Sequence, residues 1–194
     1  ATQDVGSTIS VGGNVTLTAG QSVSATAANV QAVGALNVQA TDIQLQAGQA
    51  TQSVDEAHQH TSKGFLSKTT VTTRETSSSS TAIGSDLSGG VLTLNAQNGI
   101  TVKGSNVVSD SATTLTAANN ISIEAAQNTS QQSSFRQETT SGLMSSGGIG
   151  VSIGTRKQST DGKDNTTTAA ASTVGSVGGN VNIQAGAQYK QVGS

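Results

Sequence analysis

The stretch Gly12-Gly13-Asn14-Val15-Thr16-Leu17-Thr18-Ala19-Gly20 decides the fold, because the chain contains two further copies of it. It returns as Gly89-Gly90-Val91-Leu92-Thr93-Leu94-Asn95-Ala96 and again as Gly178-Gly179-Asn180-Val181-Asn182-Ile183-Gln184-Ala185-Gly186. Within each copy apolar residues alternate with Thr, Asn or Gln, which is typical of a β-strand with one buried and one solvated face. The three copies therefore predict equivalent strands in a repeating fold.

The sequence repeats on two scales. Leu17, Leu94 and Ile183 occupy equivalent positions in the long repeat, and the second interval is longer than the first. A shorter period of about 20 residues runs inside each copy, where Leu17 recurs at Val38. Strands that stack one above the next are about 4.8 Å apart. We therefore expect Leu17 to lie beside Val38 in a parallel ladder.

A coil of this length has room for two or three strands of about five residues, joined by tight corners. A single coil cannot bury its own apolar face, so its stability must come from neighbouring coils. The sequence therefore predicts an all-β fold, a parallel, right-handed β-helix solenoid. We expect one β-helix segment over residues 1–194, with shaft coils at about 5–51, 89–128 and 178–194.

Two stretches rich in Ser and Thr interrupt the short period, at about 52–88 and 129–177. Each combines β-prone segments with turn-forming residues, which favours a β-hairpin excursion from the shaft. We expect the turn of the first hairpin at Ser77–Ser80 and the tip of the second at Asp161–Asn165.

The composition favours a slender core and disfavours several classes of function. Aromatic residues make up 2% of the chain, and Trp, Pro and Cys are absent. Lack of proline suits a backbone that is mostly paired in ladders, since proline cannot donate to one. The formal net charge is −2, with basic residues scattered along the chain, so nucleic acid is not an expected partner.

The same composition favours an extracellular setting. A surface rich in Ser, Thr, Asn and Gln is common in secreted repeat fibres, and the missing cysteines are explained either by chance or by export through an oxidising periplasm. The chain has no apolar run long enough to span a membrane, and its first residues lack the features of a signal peptide. Because the chain begins within a repeat, we expect it to be a piece of a larger protein.

One cluster of possible metal ligands lies in the first excursion. Asp55, Glu56, His58 and His60 are close in sequence, and on a strand the two histidines would share a face, as a divalent-metal site requires. A solvated loop is the favoured interpretation of this segment.

Other candidate chemistry is weaker still. Asp161 and Asp164 resemble part of a calcium loop, but the further acidic ligands at regular spacing are missing. Acidic residues fall on different segments, which disfavours a carbohydrate-active enzyme of the β-helix type. Asn29 and Asn106 recur in register and favour an amide ladder at a corner. We predict no enzymatic activity, no cofactor, and no catalytic, cofactor-binding or metal-binding residues.

Four large apolar residues stand at matching places in the two excursions. They are Phe65 and Leu66 in Gly64-Phe65-Leu66-Ser67, and Leu143 and Met144 in Gly142-Leu143-Met144-Ser145. They could contact a membrane or a partner protein, or they could seal each hairpin against the shaft. The matching positions favour sealing.

The run Ser141-Gly142-Leu143-Met144-Ser145-Ser146-Gly147-Gly148-Ile149-Gly150-Val151-Ser152-Ile153-Gly154 closely resembles the haemagglutinin repeat of filamentous haemagglutinin-like exoproteins. Ile123–Thr129 before it and Gly175–Val181 after it complete the pattern. The resemblance is strongest to the second repeat region of contact-dependent growth inhibition exoproteins, although adhesins of the same secretion class carry similar repeats. It covers nearly the whole chain, and the first copy departs from it around residues 55–60.

This resemblance implies export through an outer-membrane two-partner secretion transporter and folding at the bacterial cell surface, outside the outer membrane. It implies a structural or translocation rod that serves contact-dependent toxin delivery to neighbouring bacteria. The alternative is an adhesin module that binds a host or bacterial surface receptor or glycan. The implied partners are thus the transporter and a target-cell receptor or outer membrane.

Overall fold

The computed structural model describes residues 1–145 and 151–193, and at positions 144, 145 and 151 it describes the backbone alone. These residues form strands and turns without a helix, and therefore contain no helical segment suited to crossing a bilayer. The predicted all-β class is confirmed.

The strands of the described residues are β1 (Thr2–Gln3), β2 (Thr8–Val11), β3 (Val15–Thr18), β4 (Ser22–Thr26), β5 (Asn29–Ala32), β6 (Ala35–Gln46), β7 (Gly48–Lys63), β8 (Ser67–Ile83), β9 (Asp86–Lys103), β10 (Asn106–Ala117), β11 (Asn120–Glu124), β12 (Ala126–Ser145), β13 (Val151–Ala170), β14 (Thr173–Ser176), β15 (Asn180–Ala185) and β16 (Gln188–Val192).

The chain divides into two compact units. The first, which we call the ladder unit, contains Ala1–Thr51, Ser80–Asn128 and Thr167–Ser194. The second, which we call the hairpin unit, contains Gln52–Ser79 and Thr129–Thr166.

Three parallel ladders make up the ladder unit, and each joins five strand segments. The first ladder contains β2, β5, residues 86–89 of β9, residues 106–109 of β10, and β14. The second contains β3, residues 35–40 of β6, 91–96 of β9, 112–117 of β10, and β15. The third contains β4, residues 42–46 of β6, 99–103 of β9, β11 and β16.

One segment from each ladder, taken in chain order, forms what we call a rung. The five rungs are residues 8–26, 29–46, 86–103, 106–124 and 173–192. The predicted pairing of Leu17 with Val38 is confirmed, and Ala25 pairs with Leu45 in the same way. The register continues across the long interruption, because Leu45 pairs with Val102 although the whole of β7 and β8 lies between them in the sequence.

The core of the ladder unit is a set of aliphatic columns. In one column, Val38, Leu94 and Leu115 are stacked and fully buried. Leu17 and Ile183, which lie at its two ends, are only partly buried. Burial of each rung therefore depends on having a neighbour on both sides.

A column of buried serines satisfies backbone groups at the corner that links one rung to the next. Ser85, Ser105 and Ser172 are buried there, and each hydroxyl accepts a hydrogen bond from the backbone N–H of a residue one rung earlier, at 3.1 to 3.2 Å. The Ser85 hydroxyl also donates to the Gln46 carbonyl at 2.8 Å, and the Ser172 hydroxyl donates to the Glu124 carbonyl at 2.6 Å. Buried backbone groups that would otherwise be unpaired are thus hydrogen-bonded.

The predicted asparagine ladder takes a different form in the structure. Asn29 and Asn106 share a column, but Asp86 lies between them, and the Asn106 amide donates to the Asp86 carboxylate at 2.7 Å. A direct contact between asparagines occurs at another corner, where Asn119 donates to Asn98 at 2.8 Å. The recurrence of asparagine at the longer repeat therefore predicted correctly that Asn29 and Asn106 share a column. It did not predict that Asp86 lies between them.

The strands of the hairpin unit form an antiparallel sheet in the order β7-β8-β12-β13. β1 pairs antiparallel with the start of β7, at Ala50 and Thr51 of the ladder unit. Side-chain hydrogen bonds join Gln59 to Thr72 and Thr61 to Thr70, so residue numbers rise along β7 as they fall along β8. Thr69 contacts Thr140 in the same antiparallel sense as the bond between Leu66 and Leu143. No described side chain of the hairpin unit is fully buried: those of β7 and β13 are almost all exposed, and most of those of β8 are half-buried.

The predicted turn positions in the excursions are wrong. Ser77–Ser80 lie within β8, and Asp161–Asn165 lie within β13. The first hairpin turns instead between β7 and β8, at Gly64–Ser67. Serine and aspartate favour turns locally, but pairing with neighbouring strands overrides that preference here.

The aliphatic columns give a direct stability prediction. Leu94→Ala should lower the free energy of unfolding by about 2–5 kcal/mol, because it leaves a cavity between two covered rungs. Val33→Ala is the matched control, since Val33 is exposed on an adjacent corner, and its effect should stay within about 0.5 kcal/mol. Chemical denaturation measures both. Equal effects of the two changes would contradict the column arrangement.

Rung five is joined to rung four by an ion pair as well as by its ladders. The Lys190 ammonium donates to Glu124 Oε1 at 2.7 Å, and the Ser122 hydroxyl donates to the same oxygen at 2.8 Å. The hydrogen bond from Lys190, and then that from Ser122, lowers the pKa of the Glu124 carboxyl.

This pKa shift predicts a pH-dependent contribution to stability. A carboxyl whose pKa is lowered in the folded state stabilises the fold at pH values above its unfolded pKa, which is about 4.3 for glutamate. That stabilisation is lost as the pH falls through the folded pKa. Glu124→Gln should therefore lower the melting temperature slightly at pH 7 and leave it unchanged in strong acid. Lys190→Gln should give the same profile. A difference that persists in strong acid would contradict the ion-pair explanation.

Candidate contact site at the hairpin turn

Phe65 and Leu66 occupy the tight connection between β7 and β8. The Gly64 N–H donates to the Ser67 carbonyl at 2.8 Å, which leaves Phe65 and Leu66 as the two central residues. Two-residue connections of this kind are the commonest in hairpins. Both side chains are thereby placed at the end of the hairpin.

Leu143 of β12 lies beside this turn. Its N–H donates to the Leu66 carbonyl at 2.9 Å, so the second excursion pairs directly with the turn of the first. Gly142 makes the close approach feasible, because its φ is +130° and a Cβ at this position would lie 2.1 Å from the Leu66 oxygen. The structure therefore brings together three of the four predicted contact residues. The side chain of Met144 lies outside the described part of the structure.

These apolar side chains are strongly exposed. Phe65 is 99% exposed, Leu66 57% and Leu143 41%. The exposure of the Phe65 ring favours the contact interpretation over sealing, and the choice between the two stays a prediction. Exposed apolar clusters on an otherwise polar surface are typical of sites that contact other molecules. We call Phe65, Leu66 and Leu143 the turn patch.

Two lysines flank the turn patch. The contacts between β7 and β8 place Lys63 directly opposite Lys68, and both are exposed. Like charges directly opposite one another destabilise a strand pair. The two lysines therefore destabilise the end of the hairpin when no other molecule is bound to it. Basic residues beside exposed Phe and Leu are the combination found where proteins touch an anionic lipid surface or an acidic partner.

The four residues considered as possible metal ligands are spread along one strand. Residues 55–60 lie in β7, so the predicted loop is wrong, although their side chains are solvent-exposed as expected. Asp55 accepts two hydrogen bonds from Arg74, at 2.7 and 3.2 Å, and these lower the pKa of its carboxyl. His58 Nε2 lies 3.9 Å from Glu56 Oε2. Within the described residues no three metal-ligating groups converge.

A second candidate site is a polar groove in the ladder unit, with a volume of about 530 Å³. Its lining combines small residues with the polar side chains of Gln46, Gln49, Lys103, Glu124 and Gln127. Amide, ammonium and carboxylate groups together can hydrogen-bond a ligand rich in hydroxyl groups. No sequence pattern indicated this groove, because its lining comes from four separate segments.

Comparison with known proteins relates the whole chain to one repeat family. A family model described as hemagglutinin repeat matches residues 1–73 and 66–194. A tRNA nuclease CdiA from Escherichia coli is 44% identical over 135 residues, which cover 69% of this chain and 4% of that protein. A 16S rRNA endonuclease CdiA from Enterobacter cloacae is 47% identical over 130 residues, or 66% of this chain and 4% of that protein.

A tRNA nuclease CdiA from Yersinia mollaretii is 41% identical over 165 residues, which cover 79% of this chain and 6% of the relative. The chain thus spans 4% to 6% of the length of these curated relatives. No solved structure gave a significant match.

The exposure of the turn patch predicts that it contributes little to folding. Phe65→Ser should change the free energy of unfolding by less than about 0.5 kcal/mol, because the ring has almost no contacts to lose. Val54→Ser is the control on β7, where loss of a β-branched residue from a strand should cost up to about 1 kcal/mol. Thermal melting followed by circular dichroism compares the two. A large loss of stability in Phe65→Ser would restore the sealing interpretation.

Proposed function

Because the chain belongs to the hemagglutinin repeat family, we propose that it is a structural segment of a large secreted exoprotein of the contact-dependent growth inhibition type. The parent protein is exported by an outer-membrane two-partner secretion transporter and displayed on the bacterial cell surface. The relatives named CdiA, matched at 41% to 47% identity, support this assignment.

The ladder unit is proposed to be a right-handed parallel β-helix. Its support is that the three parallel ladders recur in the same order in all five rungs. Crossover connections between parallel strands are right-handed in nearly all known proteins, which favours this hand. The hairpin unit then consists of excursions from the helix.

The segment acts as a non-enzymatic rod that extends or translocates a remote toxin domain. The observation that carries this proposal is that the ladders continue across the interruption, since Leu45 still pairs with Val102 after the hairpin of β7 and β8. A register that survives such insertions makes a continuous structural element. The polar clusters of the ladder unit also serve structure, since Ser85 and Ser172 hydrogen-bond the backbone.

The turn patch is the proposed contact with the target cell. Phe65, Leu66 and Leu143 supply apolar surface for an outer membrane or a surface receptor. Lys63 and Lys68 add positive charge, which favours an anionic surface.

The second candidate function is an adhesin module that recognises a glycan. The polar groove favours it, because Gln46, Gln49, Lys103, Glu124 and Gln127 offer both donors and acceptors. The purified chain would then bind cells by itself, and Gln49→Ala or Lys103→Ala would weaken that binding while Phe65→Ser would not.

The main proposal is tested by deleting, from the full-length parent protein, the segment that corresponds to residues 1–194 of this chain. We expect the deleted protein to be exported and displayed but to lose growth inhibition of neighbouring cells, since its toxin is no longer extended or translocated. The double change Phe65→Ser with Leu66→Ser should have the same effect, and Val54→Ser should behave as wild type. Co-culture competition and antibody labelling of surface protein measure these outcomes. Undiminished inhibition after the deletion would contradict the proposal.

A further inference from the structure

The corner between the second and third ladders of rung three contains the one Asn-Gly dipeptide of the sequence, Asn98-Gly99. Asparagine is among the thermally labile residues. Glycine lacks the Cβ that would shield its backbone nitrogen and limit its backbone angles. Asn98-Gly99 is therefore the place in this chain where a backbone nitrogen can most readily attack a side-chain amide.

The reaction at such a dipeptide is deamidation. The Gly99 nitrogen forms a bond to Asn98 Cγ, the bond from Cγ to Nδ2 breaks, and the proton of the Gly99 nitrogen leaves with Nδ2 as ammonia. Water then opens the cyclic imide at either of its carbonyls, which gives aspartate or isoaspartate at position 98. Ring closure requires that the Gly99 nitrogen lose its proton and that the Asn98 amide turn back onto its own backbone.

In the folded ladder unit the Asn98 amide bridges the two neighbouring rungs. Its Nδ2 donates to Asp42 Oδ1 of rung two at 2.7 Å, and its Oδ1 accepts from Asn119 Nδ2 of rung four at 2.8 Å. Asp42 lies opposite Gly99, because rung two has one residue fewer at this corner. Both hydrogen bonds must break before the Asn98 amide can turn back onto its own backbone.

The attacking nitrogen is also engaged. The Gly99 N–H donates to the same Asp42 Oδ1 at 3.2 Å. Loss of its proton would place negative charge beside a carboxylate, which like-charge repulsion opposes. The Asn98 carbonyl accepts from the Asn119 N–H at 2.9 Å, so the backbone is held as well. Because Asn98 is exposed to water, these hydrogen bonds protect it and burial does not.

We propose that Asn98 is a modification site that the fold keeps closed. Asp42 and Asn119 suppress deamidation in the folded ladder unit, whereas the unfolded chain deamidates at Asn98-Gly99. The extent of modification at residue 98 then records how long a molecule has been unfolded.

Neither product can restore the native corner. Aspartate at position 98 has lost the Nδ2 donor and places a second carboxylate against Asp42, where like charges repel. Isoaspartate carries the backbone through its side chain and adds a carbon to β9, which pairs with rungs on both sides here. Modification of the unfolded chain therefore disfavours its return to the folded ladder.

The proposal is tested first by comparing folded and unfolded chain. Purified chain is incubated at neutral pH with and without urea, and peptide mapping by mass spectrometry measures aspartate and isoaspartate at residue 98. The unfolded chain should be modified at least about tenfold faster, since opening one hydrogen bond to a charged group costs that factor or more.

Substitutions at the corner separate the clamp from folding itself. Asp42→Ala should raise modification of residue 98 in the folded chain roughly tenfold, and Asn119→Ala should also raise it. Asp42→Asn keeps a side-chain oxygen as acceptor and should restore part of the protection. Circular dichroism confirms that each variant stays folded during the incubation.

Asp86→Ala is the matched control. Asp86 accepts an equal hydrogen bond from the Asn106 amide, at 2.7 Å, but lies in the first ladder. Its removal should leave the modification rate of residue 98 unchanged.

The outcomes either support or contradict the clamp. Faster modification in urea, with acceleration by the changes at Asp42 or Asn119 and none by Asp86→Ala, supports the proposal. Equal rates in folded and unfolded chain, or equal effects of Asp42→Ala and Asp86→Ala, would overturn it. Slower modification after Asp42→Ala would show that the carboxylate assists the reaction, and would overturn it too. The site lies within the three central rungs and does not depend on the proposed exoprotein function.

Discussion

The whole ladder unit depends on one constraint, which is that no rung can bury its own apolar side chains. A rung of about 20 residues offers one thin layer of aliphatic groups, and only the layers above and below remove that layer from water. The contrast between buried Leu94 and partly exposed Ile183 shows this directly, since both occupy the same column. Stability is therefore a property of neighbouring rungs and of their register.

Register in turn is fixed by polar groups at the corners. The serines at positions 85, 105 and 172 tie successive rungs through their hydroxyls, and Asn14 ties rung one to rung two. Aliphatic packing alone tolerates a slip of a strand by two residues, because the same faces still meet. A hydrogen bond from one named backbone group to one hydroxyl or amide does not tolerate it. The polar groups at the corners therefore fix the register of the rungs, and the aliphatic core stabilises the arrangement.

Periodicity made the ladders predictable from sequence. An apolar residue that recurs after about 20 positions lies beside its counterpart in a parallel ladder. The partners of Leu17 and Ala25 could therefore be predicted correctly. The hairpin turn could not be assigned, because Ser77–Ser80 resemble a turn locally. In the structure they lie in a strand that is paired on both sides, with β7 and with the distant β12. The turn patch residues could likewise be identified, from their matching positions in the two excursions, but their exposure could not be predicted. The polar groove could not be predicted from the sequence, because its lining residues are far apart in the chain and come together only on folding.

One hairpin follows every second rung, and this ratio has a geometric consequence. A full repeat adds two strands to each ladder and two strands to the sheet of the hairpin unit, as β7 and β8 do. Strand spacing is about 4.8 Å in both cases, so each unit grows by the same increment of roughly 9.6 Å per repeat. Each of the two sheets can therefore take up a further repeat while its own strand spacing stays unchanged.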